Sequence, residues 1–424
     1  MPSYCALLGH QPHISLTELN VLLPDMKIQK VWSPQIITFS SKTEIDVNWL
    51  RSVGGTVLVA KEVSSNKKTK ELESIVPSML YNELKGSKRK ATFSFRCFGI
   101  PRGKIRSLYK DCKQFLKEKG MPSRYIGNDR NPAKPGTLLL RGIPGEDSCE
   151  LVLINDMPKK KKKSKSAVDD IWIGKTCAVQ DIKKYSDRDM GKPFRDTNVG
   201  LLPPKLAQIL INLSHMMTKK ETKDLTIWDP FCGSGVIALE ALIQKASMLA
   251  SDKSIKAVNG CKENIKWLRK KEKTPKAITS EVWKHDALKN YDLPKIPDCI
   301  VTETTLGPPL KKIPTKREVA TLIREAEKIE VGFFENMAKM LPDTPIVCCF
   351  PVYITRDGSK NFLPKALQKI QKLGYRITCV SDKNIQSTSR HSLLYLRNDQ
   401  NVGREILCFL PPGRASTRTS SRKT

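Results

Sequence analysis

The sequence predicts a doubly wound α/β domain of seven strands, preceded by a smaller α+β region, on three observations. Apolar strand-like runs alternate with amphipathic helical stretches from about residue 201 to 413. Within them, residues 225–252 (LTIWDPFCGSGVIALEALIQKASMLASD) read strand, glycine turn, helix, strand, acid, which is a βαβ unit. A lysine run at 159–163 sets this part off from an N-terminal stretch of shorter elements.

Residues 1–156 form the first segment. Tyr4–His10 reads as a strand, and Ser15–Leu23 as a helix capped at Ser15 with Glu18 placed for a capping box. Residues 35–40 and 56–63 are further strands, with a helix-like stretch at 46–53 between them. Ala91–Gly99 alternates as a half-buried strand does, and Lys104–Gly120 is an amphipathic helix ended by Gly120. Residues 137–142 (TLLLRG) and 149–156 (CELVLIND) complete the segment as strands, with antiparallel pairing expected. Residues 157–200 are expected to be a lysine-rich linker and connecting segment, and 414–424 a disordered basic tail.

Residues 201–413 carry the doubly wound domain. Pro203-Pro204 starts a helix whose apolar positions Leu206, Ile209, Leu210 and Leu213 recur at helical spacing. After Asp252 come a helix over Lys253–Arg269, a third strand over Glu281–Ala287 and a fourth over Asp298–Glu303. A long helix at Thr315–Met340, a fifth strand at 344–353, a helix at Leu363–Leu373, and strands at 375–381 and Arg404–Leu410 follow. Ligands of such a sheet bind at the carboxyl ends of its strands.

Composition narrows the function classes. The 424 residues include 74 Lys plus Arg against 43 Asp plus Glu, a net charge of +31. A surplus that large favours a polyanionic partner, because basic contacts to phosphate release condensed counterions. The 12 cysteines show no C-x-x-C pair and no His partner at zinc spacing, so reduced, mostly buried thiols and no metal site are expected. Cys348 and Cys349 sit in an apolar strand where neighbours point to opposite faces. No run reaches bilayer-spanning length and the N-terminus lacks a signal-peptide pattern, so a cytoplasmic protein without membrane association is expected.

The glycine turn carries the chemistry. Gly233 and Gly235 let backbone N–H groups at a helix N-terminus approach a ligand, and an acid at the next strand tip can accept from ribose hydroxyls. The turn is not GxGxxG, which argues against a dinucleotide. DPFCGSG resembles motif I of class I S-adenosylmethionine-dependent methyltransferases, in the branch that modifies exocyclic amines of nucleic-acid bases. Asp229, Asp252 and Asp286 fall at the ends of consecutive expected strands and would line one crevice. Asp229 there suits the amino-acid end of the cofactor, Asp252 the ribose, and Asp286 the adenine amine with Ala287 against the ring. A strand-end turn residue explains any one of these acids, but three in register point to a site.

The fourth strand tip reads Thr302-Glu303-Thr304-Thr305-Leu306-Gly307-Pro308-Pro309. Amine-directed methyltransferases carry [DN]PP[YFW] here. An acceptor side chain and a backbone carbonyl take the two N–H bonds of a weakly nucleophilic amine, and an aromatic ring stacks on the extruded base. Glu303 keeps the acceptor, Thr304 and Thr305 replace both prolines, and Leu306 replaces the aromatic.

Together with DRDMGKPFRDTNVGLLPPKLAQILINLS, SDKS, HDA, TETTLGPPL and SLLYLRNDQNVGREI, these stretches resemble the THUMP-containing tRNA guanosine-N2 methyltransferases. Bacterial members with a TEPYLGPPL-like fourth motif look closest. The resemblance is strong from about Lys183 to Leu410, and Tyr4–Leu23 is similar to the opening of that family's ferredoxin-like region. It implies an RNA-binding N-terminal module, S-adenosyl-L-methionine as cofactor and N2 of a tRNA guanosine as acceptor. Carried over residue by residue, it places the cofactor on Asp229, Phe231, Gly233, Gly235, Asp252 and Asp286, with Glu303 as the catalytic group; Cys232 in the glycine loop and Ala287 beside Asp286 complete the expected cofactor site. Thr304, Thr305 and Leu306 would meet the base. No His or other base stands beside Cys232 in sequence, so no nucleophilic role is assigned to it. No protein partner can be inferred. The rival readings are a DNA adenine-N6 methyltransferase, and a catalytically weakened RNA-binding protein that keeps the cofactor fold.

Overall fold

The computed structural model describes residues 1–155, 170–196, 201–310, 312–379, 387–397 and 400–413. The lysine run and the tail after Gly413 lie outside the described residues. The chain forms two compact units, Met1–Pro12 with Leu23–Tyr185, and His13–Leu22 with Ser186–Thr424. These are not the expected segments, because the first unit continues to Tyr185 and the second borrows a helix from the N-terminal stretch.

That helix is α1 (Pro12–Leu22), which follows β1 (Ser3–Leu8). Pro12 is its first residue, where a missing N–H costs nothing. Ser15 is therefore inside the helix rather than at its cap. Buried Glu18 accepts from the Asn212 amide of the second unit at 2.7 Å.

The first unit continues through β2 (Lys27–Ser33), β3 (Ile36–Ser40), α2 (Val47–Arg51), β4 (Thr56–Lys67), α3 (Leu72–Leu84) and β5 (Ala91–Phe98). Then follow α4 (Arg102–Glu118), β6 (Ser123–Ile126), α5 (Pro135–Leu140), β7 (Ser148–Ile154), β8 (Ile171–Val179) and α6 (Ile182–Met190). Its eight-stranded sheet has the order β2-β3-β1-β4-β8-β7-β5-β6. Pairing is mixed, not all antiparallel as expected, since β5 runs parallel to both β6 and β7. The helix α4 between β5 and β6 makes the parallel return possible. β8, expected in the linker, lies between β4 and β7. Residues 137–142 belong to helix α5, not a strand. Pro135 starts the helix, Leu138 N–H donates to the Lys134 carbonyl, and only Leu138 of the three leucines is buried. A run of leucines has no period of its own, so the local starter decides.

The second unit adds α7 (Pro204–Leu213), α8 (His215–Thr218), β9 (Thr226–Asp229), α9 (Val236–Ile243), β10 (Ser247–Asp252), α10 (Ile255–Glu272), β11 (Ser280–Lys284) and β12 (Cys299–Glu303). It ends with α11 (Lys316–Met340), β13 (Ile346–Ile354), β14 (Lys360–Asn361), α12 (Pro364–Lys372), β15 (Arg376–Thr378), β16 (Leu393–Tyr395) and β17 (Val402–Leu410). The sheet order is β11-β10-β9-β12-β13-β17-β15, with short β14 and β16 attached to β13 and β17. β9 to β13 pair in parallel, while β17 is antiparallel to both β13 and β15. This is the doubly wound sheet expected from the sequence.

Both sheet faces are covered. Leu206 and Leu210 of α7 and Ile237 of α9 pack with Ile227, Val301 and Cys349 on one face. Phe333, Phe334 and Met337 of α11 pack with Trp228, Ile300 and Cys348 on the other. Adjacent Cys348 and Cys349 thus lie in opposite cores, as the pleat requires. Nine of the twelve cysteines are buried and all twelve are free thiols. No helix of the described residues is long and apolar enough to cross a membrane.

Candidate functional site

At the carboxyl ends of β9, β10, β11 and β12 the second unit holds a cavity of about 440 Å³. Asp229 ends β9, Asp252 ends β10 and Glu303 ends β12, whereas Asp286 stands two residues beyond β11. All four line the cavity, together with Phe231, Cys232, Gly233, Ala287, Thr304 and Thr305. Gly235 and Leu306, also singled out in the sequence, are not among its lining residues.

The glycine turn explains this division. Gly233 has φ +50°, and a Cβ built on it would meet no atom within 4 Å. Its N–H donates to Asp252 Oδ2 at 3.0 Å. Gly235 has φ +81°, and a Cβ there would lie 2.5 Å from Cys261 Sγ. One glycine therefore leaves open space at the cavity, while the other lets α10 pack beneath the turn.

The carboxylates differ in surroundings. Asp229 is buried, and burial pushes its carboxyl up to about 7. The Thr302 hydroxyl (2.6 Å) and the Phe231 N–H (3.2 Å) both donate to its Oδ1 and oppose that rise. Asp252 accepts from Ser254 N–H through Oδ1 at 2.8 Å as well as from Gly233, so both oxygens are oriented by backbone. Asp286 Oδ1 accepts from Leu288 N–H at 3.1 Å. Phe231 meets the Phe333 ring edge-on, with centroids 5.3 Å apart.

Two buried amides hold the cavity walls. Asn264 of α10 accepts from Phe194 N–H at 2.9 Å and donates to the Phe194 and Ser234 carbonyls at 3.0 and 2.8 Å. It ties a lining residue before α7 to the glycine turn. Gly260, one turn earlier, makes room for the Phe194 ring, because a Cβ there would lie 2.0 Å from Cδ1. Asn336 of α11 donates to the Ala287 and Lys289 carbonyls at 2.9 and 2.7 Å. Sequence reasoning missed both asparagines. The one available signal was Gly260 inside an otherwise good helix, which marks close approach.

The fourth strand tip is anchored twice. The Glu303 carboxylate receives both Nε (2.5 Å) and Nη2 (3.5 Å) of Arg404, which is 3% exposed. Arg404 also donates to the Leu201 carbonyl at 3.4 Å. Thr304 Oγ1 lies 2.8 Å from the Cys349 carbonyl and 2.5 Å from Glu330 Oε1. A hydroxyl has one hydrogen for these two acceptors. Burial pushes the Glu330 carboxyl well above its usual range, and the Thr304 hydroxyl opposes that rise. The Leu306 carbonyl accepts from the Tyr353 hydroxyl at 3.4 Å. Elsewhere in the second unit, Arg188 makes a buried pair with Glu240 at 2.6 Å, and Arg397 donates to the Tyr395 hydroxyl at 3.0 Å. Among the described residues no group of three or more His, Cys, Asp or Glu could hold a metal ion.

Residues 194–329 match the family model described as UPF0020, an RMKL-like methyltransferase domain. A tRNA (guanine(10)-N2)-dimethyltransferase of Methanothermobacter thermautotrophicus is 27% identical over 150 residues, which cover 35% of this chain and 38% of that protein. The match thus spans well under half of the relative's length. TrmN from Thermus thermophilus superposes with a TM-score of 0.54 at 13% identity, covering 96% of this chain and 99% of that one. That likeness shows the fold. The second unit therefore has a class I methyltransferase-like α/β fold, and its segment 194–329 is similar to the RMKL-like methyltransferase domain.

Proposed function

We propose that the chain is an S-adenosyl-L-methionine-dependent methyltransferase acting on an exocyclic amine of a nucleic-acid base, with N2 of a tRNA guanosine as the acceptor. The observation that carries this reading is one cavity bounded by an open glycine turn, three aspartates and the Glu303 carboxylate.

The residues fit the cofactor. Gly233 leaves room that a Cβ would occupy, and Asp252 presents a carboxylate oriented by two backbone N–H groups. Remaining lone pairs of Asp252 suit a ribose diol, and Asp286 with Ala287 suits the adenine. Asp229, Phe231 and Cys232 would hold the rest. Bound there, S-adenosylmethionine supplies an electrophilic methyl group.

The chain's own residues orient the acceptor. Glu303 would accept one N–H of the amine and set the direction of its lone pair. Its carboxylate also stabilises the positive charge the nitrogen gains, and helps remove the surplus proton. Thr304 and Thr305 would border the base. Leu306 is not needed at that border, since it lies outside the lining. The first unit, read as the THUMP-like RNA-binding module, would hold the RNA through shape and phosphate contacts, which the net charge of +31 favours. The name of the archaeal relative supports RNA over DNA as the substrate.

Incubation with labelled S-adenosylmethionine and total tRNA, followed by nucleoside analysis, tests the reading. N2-methylguanosine is the expected product. Label in duplex DNA but not tRNA would move the assignment to DNA. Absence of transfer to any nucleic acid, with salt-sensitive RNA binding retained, would reduce the chain to an RNA-binding protein.

A further inference from the structure

We propose that Arg404 is a positioning residue for the acceptor amine, holding the Glu303 carboxylate in one orientation at the cavity wall. The inference rests on the reading of Glu303 as the amine's acceptor.

The sheet dictates which residue can do this. Glu303 pairs with Cys349 of β13, and Arg404 of β17 pairs with Pro351 on the other side of the same strand. Donor and acceptor therefore stand two strands apart, roughly 10 Å at the usual strand spacing. Only a long side chain crosses that gap, and only a guanidinium reaches both carboxylate oxygens at once. The Arg404 guanidinium does so while anchored to the Leu201 carbonyl at 3.4 Å, with the Tyr395 ring centroid 5.9 Å away. Leu201 and Glu303 both line the cavity, so the cation braces two walls together.

The consequence is electrostatic as well as geometric. Glu303 in turn raises the Asp229 carboxyl of β9 and the Cys349 thiol of β13 through its charge. Burial pushes the Cys349 thiol up, which keeps it neutral, and Asp229 contributes negative charge when ionised. Each Glu303 oxygen gives one lone pair to the guanidinium, which leaves a restricted set of directions for an incoming N–H.

The test compares wild type, Arg404→Lys and Arg404→Gln in full-length protein. Both kcat and KM for methyl transfer to tRNA are measured, with cofactor binding by calorimetry and thermal melting alongside. Lysine keeps the charge but loses the fork, and should lower kcat on the order of 10–100-fold with cofactor affinity unchanged. Arg404→Gln loses both the charge and the fork and should lower kcat further, again with cofactor affinity unchanged. If the glutamine variant melts at the preparation temperature, the lysine variant decides alone. Wild-type kcat in folded variants would overturn the role of Arg404 while leaving the methyltransferase reading intact. A wild type that transfers no methyl group to nucleic acid would overturn both.

Discussion

The cavity has two halves that are built differently. The half around the glycine turn comes mainly from one contiguous stretch, β9 to β10, and the hydrogen bonds to the Asp252 carboxylate close within about one βαβ unit. Gly233 N–H to Asp252 and Ser254 N–H to Asp252 are examples. The half around Glu303 is assembled from four separate elements. Arg404 stands 101 residues away from Glu303, Glu330 lies on α11, and the Cys349 carbonyl belongs to β13. A locally closed half tolerates change elsewhere in the chain, whereas a half closed at long range depends on the whole sheet being in register.

Substitution can break this contrast, and the largest effect is expected in the long-range half. Glu303→Ala should lower methyl transfer by about 1,000-fold or more, near 4 kcal/mol. Calorimetry should still show cofactor binding, because the glycine half is untouched. Asp229→Asn sharpens the comparison through pH. The folded-state carboxyl titrates at about 7, above its unfolded value of 3.8. Between those values the unfolded chain binds fewer protons, so Asp229 costs stability as pH rises from about 4 to 7. Denaturant unfolding without cofactor should show the variant gaining on wild type across that window, on the order of 3 kcal/mol in all.

Smaller effects are expected in the local half. Gly235→Ala should destabilise the fold by about 2–3 kcal/mol, from positive φ and collision with Cys261 Sγ. Adding Cys261→Gly should restore part of that loss, and full additivity of the two in thermal melts would refute the contact. Asp252→Ala should weaken cofactor binding by about 1–3 kcal/mol. An unchanged calorimetric affinity would remove Asp252 from the cofactor site.

The same contrast governs what could be read in advance. DPFCGSG, Asp252 and the helix from Val236 were legible because a glycine turn, a helix start and a strand-end acid are neighbours in the chain. Placement of Cys348 and Cys349 in opposite cores was legible for the same reason, since the pleat is a two-residue property. Misreadings arose where a local pattern had a competitor. Ser15 and Glu18 match a capping box, but Pro12 starts the helix earlier and Asn212 takes the glutamate. TLLLRG has strand-like bulk, but Pro135 starts a helix through it.

Other residues gave no signal at all. Asn264, Asn336, Glu330 and Arg404 are ordinary polar residues in amphipathic or strand-like runs until the sheet brings their partners to them. Arg404 is the clearest case. Its meaning depends on β17 inserting antiparallel between β13 and β15, which places it across β13 from Glu303.

By itself, then, the sequence determined the main strands and helices of the second unit, its doubly wound sheet and the glycine turn with its acid, because these follow from periodicity and turn chemistry within a few residues. Only the tertiary structure decided that α1 joins the second unit, that Gly235 faces a cysteine and not the cavity, and that Glu303 is gripped by an arginine. Those outcomes depend on which strands and helices become neighbours, and a chain's local pattern carries no record of the side chain waiting across the sheet.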